Sequence, residues 1–431
     1  MKSARLMVVA GLILAGAAIA QDLLPEVLLL SRVQRHIREE LQHLPNVTCL
    51  ETTQREYQPA KGKMRPLDTV RLEVLTDGNR EFFASPGDRK FSEQHPISYA
   101  GSGTLGDSFF GLYLKTILLG GNVTHAYKGE DEIGGHRAAR WDYRLPLMWS
   151  GQMIYLPQGS GKVGLHGSIW ADPQTHDVIR LEVNGDDFPP TLPLTEAVWT
   201  INYARTGLAD TLVVLLPQSG EFRMAYFSGE MHHNWIEFTH CRVFGAQSTI
   251  NFDPAERTPT FAHSAIDDTV RPLPQGLQIT VTLRSRILAS MTVGTLIDGI
   301  VAENVPAKGA VRIAAGSPVR GRIRRLERYA DPMPYFVVAL EFTEVELQGI
   351  RHRFYADLIR FESGHGVEET LSTPPKSELM NLPYGGRQVQ STRETLSFSN
   401  LPGVATFFVK GGKLDLQPGI RTVWKTRDLA R

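Results

Sequence analysis

The sequence predicts a mainly β protein, α+β in part: a curved antiparallel half-barrel sheet with an N-terminal helix, then a small β-barrel or sandwich domain. Three observations carry that expectation. Among 431 residues are 39 glycines and 26 prolines, about 15% together, against an average of roughly 12%; the excess suits a turn-rich β protein better than a helix bundle. Much of the chain reads as short runs that alternate apolar and polar residues, such as Leu67 to Leu75 (LDTVRLEVL), which is the period-2 signature of strands. The length exceeds one ordinary domain of roughly 150 residues.

Composition excludes several classes. The 46 Lys+Arg balance 46 Asp+Glu, so the chain lacks the basic surplus that phosphate neutralisation demands, and no nucleic-acid partner is expected. At 42% hydrophobic and 21% charged residues, disorder is excluded as the main state. Two cysteines are too few for a disulfide-dense scaffold or a Cys-rich zinc site.

Residues 1–20 read as a cleavable export signal. Lys2 and Arg5 precede an apolar core, Leu6 to Ala17, and Ala18-Ile19-Ala20 is an A-x-A cleavage site. The mature chain is expected to begin at Gln21 in the periplasm or outside the cell. The apolar run is about 15 residues, short of the roughly 20 that span a bilayer, and no transmembrane span is expected. In an oxidising compartment Cys49 and Cys241, both in strand-like sequence, are expected to pair, tying the first strand of a domain to its last.

Residues 23–44 carry apolar residues at three- and four-residue steps and read as a helix. Asp77-Gly78 is a hairpin signal between strands. Residues 107–119 (DSFFGLYLKTILL) read as a second helix capped by Asp107 or Ser108. Strand and turn texture fills residues 122–252. Residues 253–275, with four prolines and little periodicity, read as a linker. The expected domains are therefore 21–252 and 276–431, the second again β, with a long loop at 364–400.

Two resemblances follow from particular residues. His166 to Pro173 (HGSIWADP), a turn, then Val178-Ile179-Arg180-Leu181 resembles a hairpin of the periplasmic lipoprotein-carrier (Lol-type) superfamily. That resemblance implies a curved sheet partly closed by helices, with an apolar concave face able to hold acyl chains. Gly294 to Val301, Val305 to Gly309 and Ile313 to Ile323 are similar to the C-terminal β-barrel of conjugation and type IV secretion proteins of the TrbI/VirB10 kind, which implies a β fold there.

Candidate sites are few. Gly101 to Gly106 spells G-x-G-x-x-G, but the preceding residues contain Pro96 and no buried strand; a flexible loop capping a helix is the better reading than a nucleotide site. His232, His233, Glu237 and His240 do not converge on a strand, since His233 and Glu237 would sit about 13 Å apart; no metal and no cofactor are expected. Arg320, Arg322 and Arg324 share one face of a strand by alternation, read as a solvated face or as a basic face contacting anionic envelope material. No nucleophile elbow, zinc-protease motif or P-loop occurs, so no catalytic residue is named and no enzyme is expected. Phe109, Leu112, Leu114, Trp149, Met153, Tyr155, Trp199 and Ile201 form an apolar set that either packs a core or, for Phe109, Leu112, Trp149, Met153, Tyr155 and Trp199, lines an acyl-binding cleft.

The expected function is a non-enzymatic envelope protein that binds a lipid or lipoprotein acyl chain in its first domain. The alternatives are a structural or interaction component of an envelope or secretion-type assembly, with a protein partner, and a hydrolase whose site forms only in three dimensions. A continuous apolar cavity would mark the first; a filled core would favour the second.

Overall fold

The computed structural model describes residues 24–244, 271–362 and 403–427, apart from 78–79, 89, 94, 101–102, 108, 157–158, 210–211, 307–312 and 331–333. The expected export signal, most of the expected linker and the expected loop at 364–400 lie outside the described residues. No described helix is long and apolar enough to cross a membrane.

Helix α1 (Pro25–His43) starts with proline, whose fixed φ suits the first turn and whose missing N–H costs nothing there. Val33 and Ile37, one turn apart, are fully buried. Arg205 donates to Asp177 at 2.6 Å and to Glu40 at 2.8 Å, fastening the helix to the sheet.

Strands β1 (Val47–Gln58), β2 (Arg65–Thr76) and β3 (Glu81–Ala84) form a meander. The short helix α2 (Leu112–Leu118) follows. Then come β4 (Thr124–Ile133), β5 (His136–Leu145), β6 (Met153–Leu156), β7 (Gly159–Lys162), β8 (Gly164–Ala171), β9 (Val178–Asp186), β10 (Leu194–Ala209), β11 (Leu212–Tyr226) and β12 (Met231–Val243). Ten strands make one antiparallel sheet in the order β3-β2-β1-β12-β11-β10-β9-β8-β5-β4, while β6 and β7 form a separate hairpin. The sequence-distant β1 and β12 pair in the interior of this sheet. At their bulge the Cys49–Cys241 disulfide bridges 192 residues, so the expected staple joins the first and last strands of the sheet. Closing so long a loop contributes about 4–5 kcal/mol in the chain-entropy account.

The second sheet comprises β13 (Arg271–Pro272), β14 (Gln278–Leu283), β16 (Leu296–Val301), β17 (Pro318–Tyr329), β18 (Tyr335–Leu347), β19 (Ile350–Arg353), β20 (Ala356–Glu362), β21 (Val404–Lys410) and β23 (Arg421–Thr426), with β15 (Ile287–Leu288) paired to β22 (Asp415–Leu416) alongside. Its order is β13-β19-β18-β17-β16-β14-β23-β20, and β21 pairs with β18. Strands β20 and β21 lie beside each other, which curls the sheet into a barrel. Trp424 is fully buried at its centre, with Phe342 and Phe354 edge-on at 5.2 and 6.1 Å.

The two sheets are joined by backbone. The Val293 amide donates to Thr69 at 2.8 Å and Arg71 donates back to Val293 at 3.3 Å. On the barrel side Gly294 donates to Ile323 at 2.8 Å and Ile323 donates to Thr295 at 2.9 Å. Residues 293–295 therefore form a short rung between β2 and β17, and one continuous apolar core runs through both sheets.

Candidate functional site: a filled concave face and a charged joint

The inward row of β1 is Cys49, Glu51, Thr53 and Arg55, each at most 2% exposed. It runs from the apolar disulfide end to a charged end beside the barrel. The concave face above it is not open. The described residues between 95 and 119 lie across it, with Leu105, Phe109, Phe110, Tyr113, Leu114 and Ile117 buried in the common core. Side chains from the sheet pin this plug. Tyr203 donates its hydroxyl to the Phe109 carbonyl at 2.9 Å, and Asn234 donates to the Thr104 carbonyl at 2.8 Å. From the plug, Tyr99 donates to the Phe83 carbonyl of β3 at 2.8 Å and the Phe110 amide donates to Glu81 of β3 at 2.9 Å.

The plug corrects two expectations. The second helix is only Leu112–Leu118, with Gly111 at its N-cap, because Phe109 and Phe110 turn inward to pack on Phe238 at 5.6 and 5.1 Å. The described part of the glycine-rich loop is packed against the sheet. A Cβ at Gly106 would meet Phe109 at 2.7 Å, and Gly103 has φ +73° beside Arg55 and His232, a backbone region that suits glycine.

The six apolar candidates separate into four environments. Phe109 and Trp199 are core: Trp199 is 4% exposed and stacks on Phe222 at 4.7 Å. Met153 and Tyr155, with Trp199, border a cavity of only about 30 Å³, room for about one water. Leu112 and Tyr155 line a larger pocket of about 340 Å³ at the mouth of the half-barrel, between β3, α2 and the β6–β7 hairpin. Trp149 stands apart with Met148 on an exposed turn, 56% and 71% exposed. The structure thus brings Leu112 and Tyr155 together at the mouth and buries Phe109 beneath it.

The mouth pocket also gathers Glu81, Glu93, His95 and Asp107. Arg80 holds Glu93 at 2.7 Å, and His95 lies 3.2 Å from Asp107. Beneath it, burial pushes the Glu51 carboxyl up to about 8, helped by the negative charges of Glu81 and Asp107 and opposed by the Thr53 hydroxyl at 2.9 Å. Among the described residues no group of three or more His, Cys, Asp or Glu is arranged to hold a metal ion. His232 and His233 face opposite ways. Burial, then the Arg55 charge, pushes His232 down to about 3, while His233 meets Glu221 at 2.7 Å on the outer face.

The expected basic face is overturned. Only Arg320 is exposed, paired with Glu346 at 3.4 Å. Arg322 and Arg324 are each 5% exposed. Arg322 bonds Asp88 in the turn after β3, and Arg324 bonds Glu341 at 3.1 Å. Bulges after Arg320 and after Ile323 break the alternation of β17, and both of its faces are covered.

Beside this pair lies the part of the site that sequence reasoning missed. Arg55 grips Asp68 through two 2.6 Å bonds, and Glu327 of β17 lies 3.7 Å from Arg55. Arg325 meets Glu327 at 2.6 Å, and Tyr329 donates to Glu327 at 2.9 Å. Two cations and two anions thus neutralise each other across the joint, the condition under which buried charge is tolerated. One signal was readable: Arg55 follows Cys49, Glu51 and Thr53 at strand alternation, which places it on the buried side.

No family model matches the chain, and no curated protein matches it. Several solved structures do. A DUF1329 family protein from Desulfovibrio piger is 11% identical, with a TM-score of 0.27, over 50% of this chain and 92% of that one. A putative outer membrane lipoprotein-sorting protein domain from Vibrio parahaemolyticus is 10% identical, TM-score 0.26, over 51% and 93%. ComB10 of the Com type IV secretion system of Helicobacter pylori is 12% identical, TM-score 0.18, over 37% and 90%.

Proposed function

We propose that the chain is an exported, non-enzymatic envelope protein that acts as a rigid interaction component. The observation that carries this reading is the filled concave face: the space that an acyl carrier would keep open is occupied by Leu105, Phe109, Phe110, Tyr113, Leu114 and Ile117 of the chain itself. The charged joint supports it, because a barrel fastened to the sheet presents both surfaces in fixed relation. Met148 and Trp149 on their exposed turn supply an apolar contact for a protein partner. A photo-cross-linking residue at Trp149, in the chain expressed in its own envelope, is expected to recover one specific protein; only diffuse products would overturn the reading.

The mouth pocket favours a second, narrower reading. Its volume of about 340 Å³ lies at the low end of ligand pockets, roughly 300–1,000 Å³. Leu112, Phe83 and Tyr155 beside Arg80, Glu93 and His95 suit an amphipathic lipid with its polar end outward. Native mass spectrometry of the purified chain, with fluorescent fatty-acid titration, tests this; bare-mass spectra and no uptake would remove it.

A further inference from the structure

The outer face of the first sheet, opposite the plug, carries a groove of about 810 Å³. Cross-strand pairing lays a row of side chains across it: Thr52, Glu237, Ser219, Asn202, Arg180 and Trp170 are successive neighbours on β1, β12, β11, β10, β9 and β8. The adjacent row runs Gln54, Trp235, Glu221, Thr200 and Glu182. Strands spaced ~4.8 Å apart make such a row about 24 Å long.

The outer face of an antiparallel sheet is ordinarily polar, so polarity alone decides nothing. The groove adds three features. Trp235 is 48% exposed near one end of it, a large apolar ring set among polar groups. Trp170 closes the other end and is held rigidly: its indole N–H donates to Asp131 at 2.8 Å and the Arg140 guanidinium lies 5.2 Å from its ring centroid. Between them much hydrogen-bonding capacity is unspent. Arg180 uses its Nε on Asn202 at 2.8 Å, and Asn202 donates to Ser219 at 3.1 Å. Among the described residues the Arg180 amino groups, the Glu237 carboxylate, the Gln54 amide and the Thr52 and Thr200 hydroxyls have no side-chain partner.

Three carboxylates, Glu182, Glu221 and Glu237, face one guanidinium, Arg180. That surplus repels polyanions and anionic headgroups. An extended peptide is poorly served as well, since it docks through free backbone groups at a sheet edge, and these strands lie inside the sheet with both neighbours paired. A neutral sugar strand meets every feature. Its hydroxyls both donate and accept, matching mixed carboxylate, amide and guanidinium groups, and the C–H face of a pyranose ring packs flat on an indole.

We propose that this outer groove binds a neutral oligosaccharide, with one pyranose ring on Trp235 and its neighbours hydrogen-bonded to Arg180, Glu237 and Gln54. This goes beyond the interaction reading and uses the opposite face of the sheet. The test titrates the full chain with chitohexaose, cellohexaose and maltohexaose, followed by calorimetry and indole fluorescence. Saturable binding to at least one is expected, weakened about tenfold or more by Trp235→Ala, or roughly 1.4 kcal/mol or more, and several-fold by Glu237→Gln, but unchanged by Trp149→Ala. Trp235→Phe, which keeps a ring, is expected to bind between wild type and alanine, and it carries the test if Trp235→Ala fails to fold. No saturation by any of the three in the millimolar range would overturn the proposal. So would binding that Trp235→Ala leaves intact, or saturable binding of an unstructured peptide alone.

Discussion

The two faces of the first sheet carry polar side chains from the same strands, yet they treat them oppositely. On β1, Arg55 points inward and Gln54 outward; on β12, Asn234 points inward and Trp235 outward. Most inward groups are sealed and committed: Arg55 to Asp68 and Glu327, Asn234 to Thr104, Thr53 to Glu51. Many outward groups are exposed and uncommitted. Polarity on a strand is thus no guide to function by itself. A charge whose partners are inside the chain is holding the fold, and a donor array without partners is available to something else.

Substitutions can break that contrast, and the joint should show the largest effect. Arg55→Ala leaves Asp68 and Glu327 buried without their shared cation, and removing one partner of a buried pair costs about 3–5 kcal/mol; urea unfolding is the measurement. A loss under about 1 kcal/mol would place the pair among exposed bridges instead. Phe109→Ala in the plug is expected to cost about 3–5 kcal/mol as a cavity forms against Phe238 and Gly220. Removing the disulfide with Cys49→Ser and Cys241→Ser together is expected to cost about 2–5 kcal/mol, read in the same unfolding series.

Titration sharpens the contrast further. Glu51 has its folded pKa raised from 4.5 to about 8, so the folded state holds a proton that the unfolded chain has lost between those values. Stability contributed by this group therefore falls as pH rises from 4.5 to 8, and Glu51→Gln is expected to remove that slope and to be more stable than the wild type at pH 8. His232 works in the other direction. Its folded pKa is depressed from 6.5 to about 3, so the unfolded chain takes up the proton first and stability falls as pH drops from 6.5 towards 3. His232→Gln should flatten that acid limb. The smallest effect belongs to the outer face: Trp235→Ala should change stability by no more than about 0.5 kcal/mol, while removing sugar binding.

Much of this architecture was legible. The alternating run from Leu67 to Leu75 lies within β2, and α1 follows its apolar spacing. The Cys49–Cys241 pairing was readable because an export signal implies an oxidising compartment, where two lone cysteines are expected to pair. The joint was not. Alternation can say that Arg322 lies on one side of β17, but not that Asp88, 234 residues away, waits there. The plug was hidden for a related reason. Phe109 and Phe110 fit helical periodicity as well as they fit an inward turn, and only the opposing Phe238, Tyr203 and Glu81 decide between them.

Amide hydrogen exchange on the full chain tests the central claim, that plug and barrel are fastened to the first sheet as one closed body. The amides of Phe110, Val293 and Ile323 bond across the plug and the joint. They are expected to exchange only through global unfolding, as slowly as core amides of β1 and β12. Exchange at loop rates, with β1 and β12 still protected, would contradict the account and describe an openable half-barrel instead.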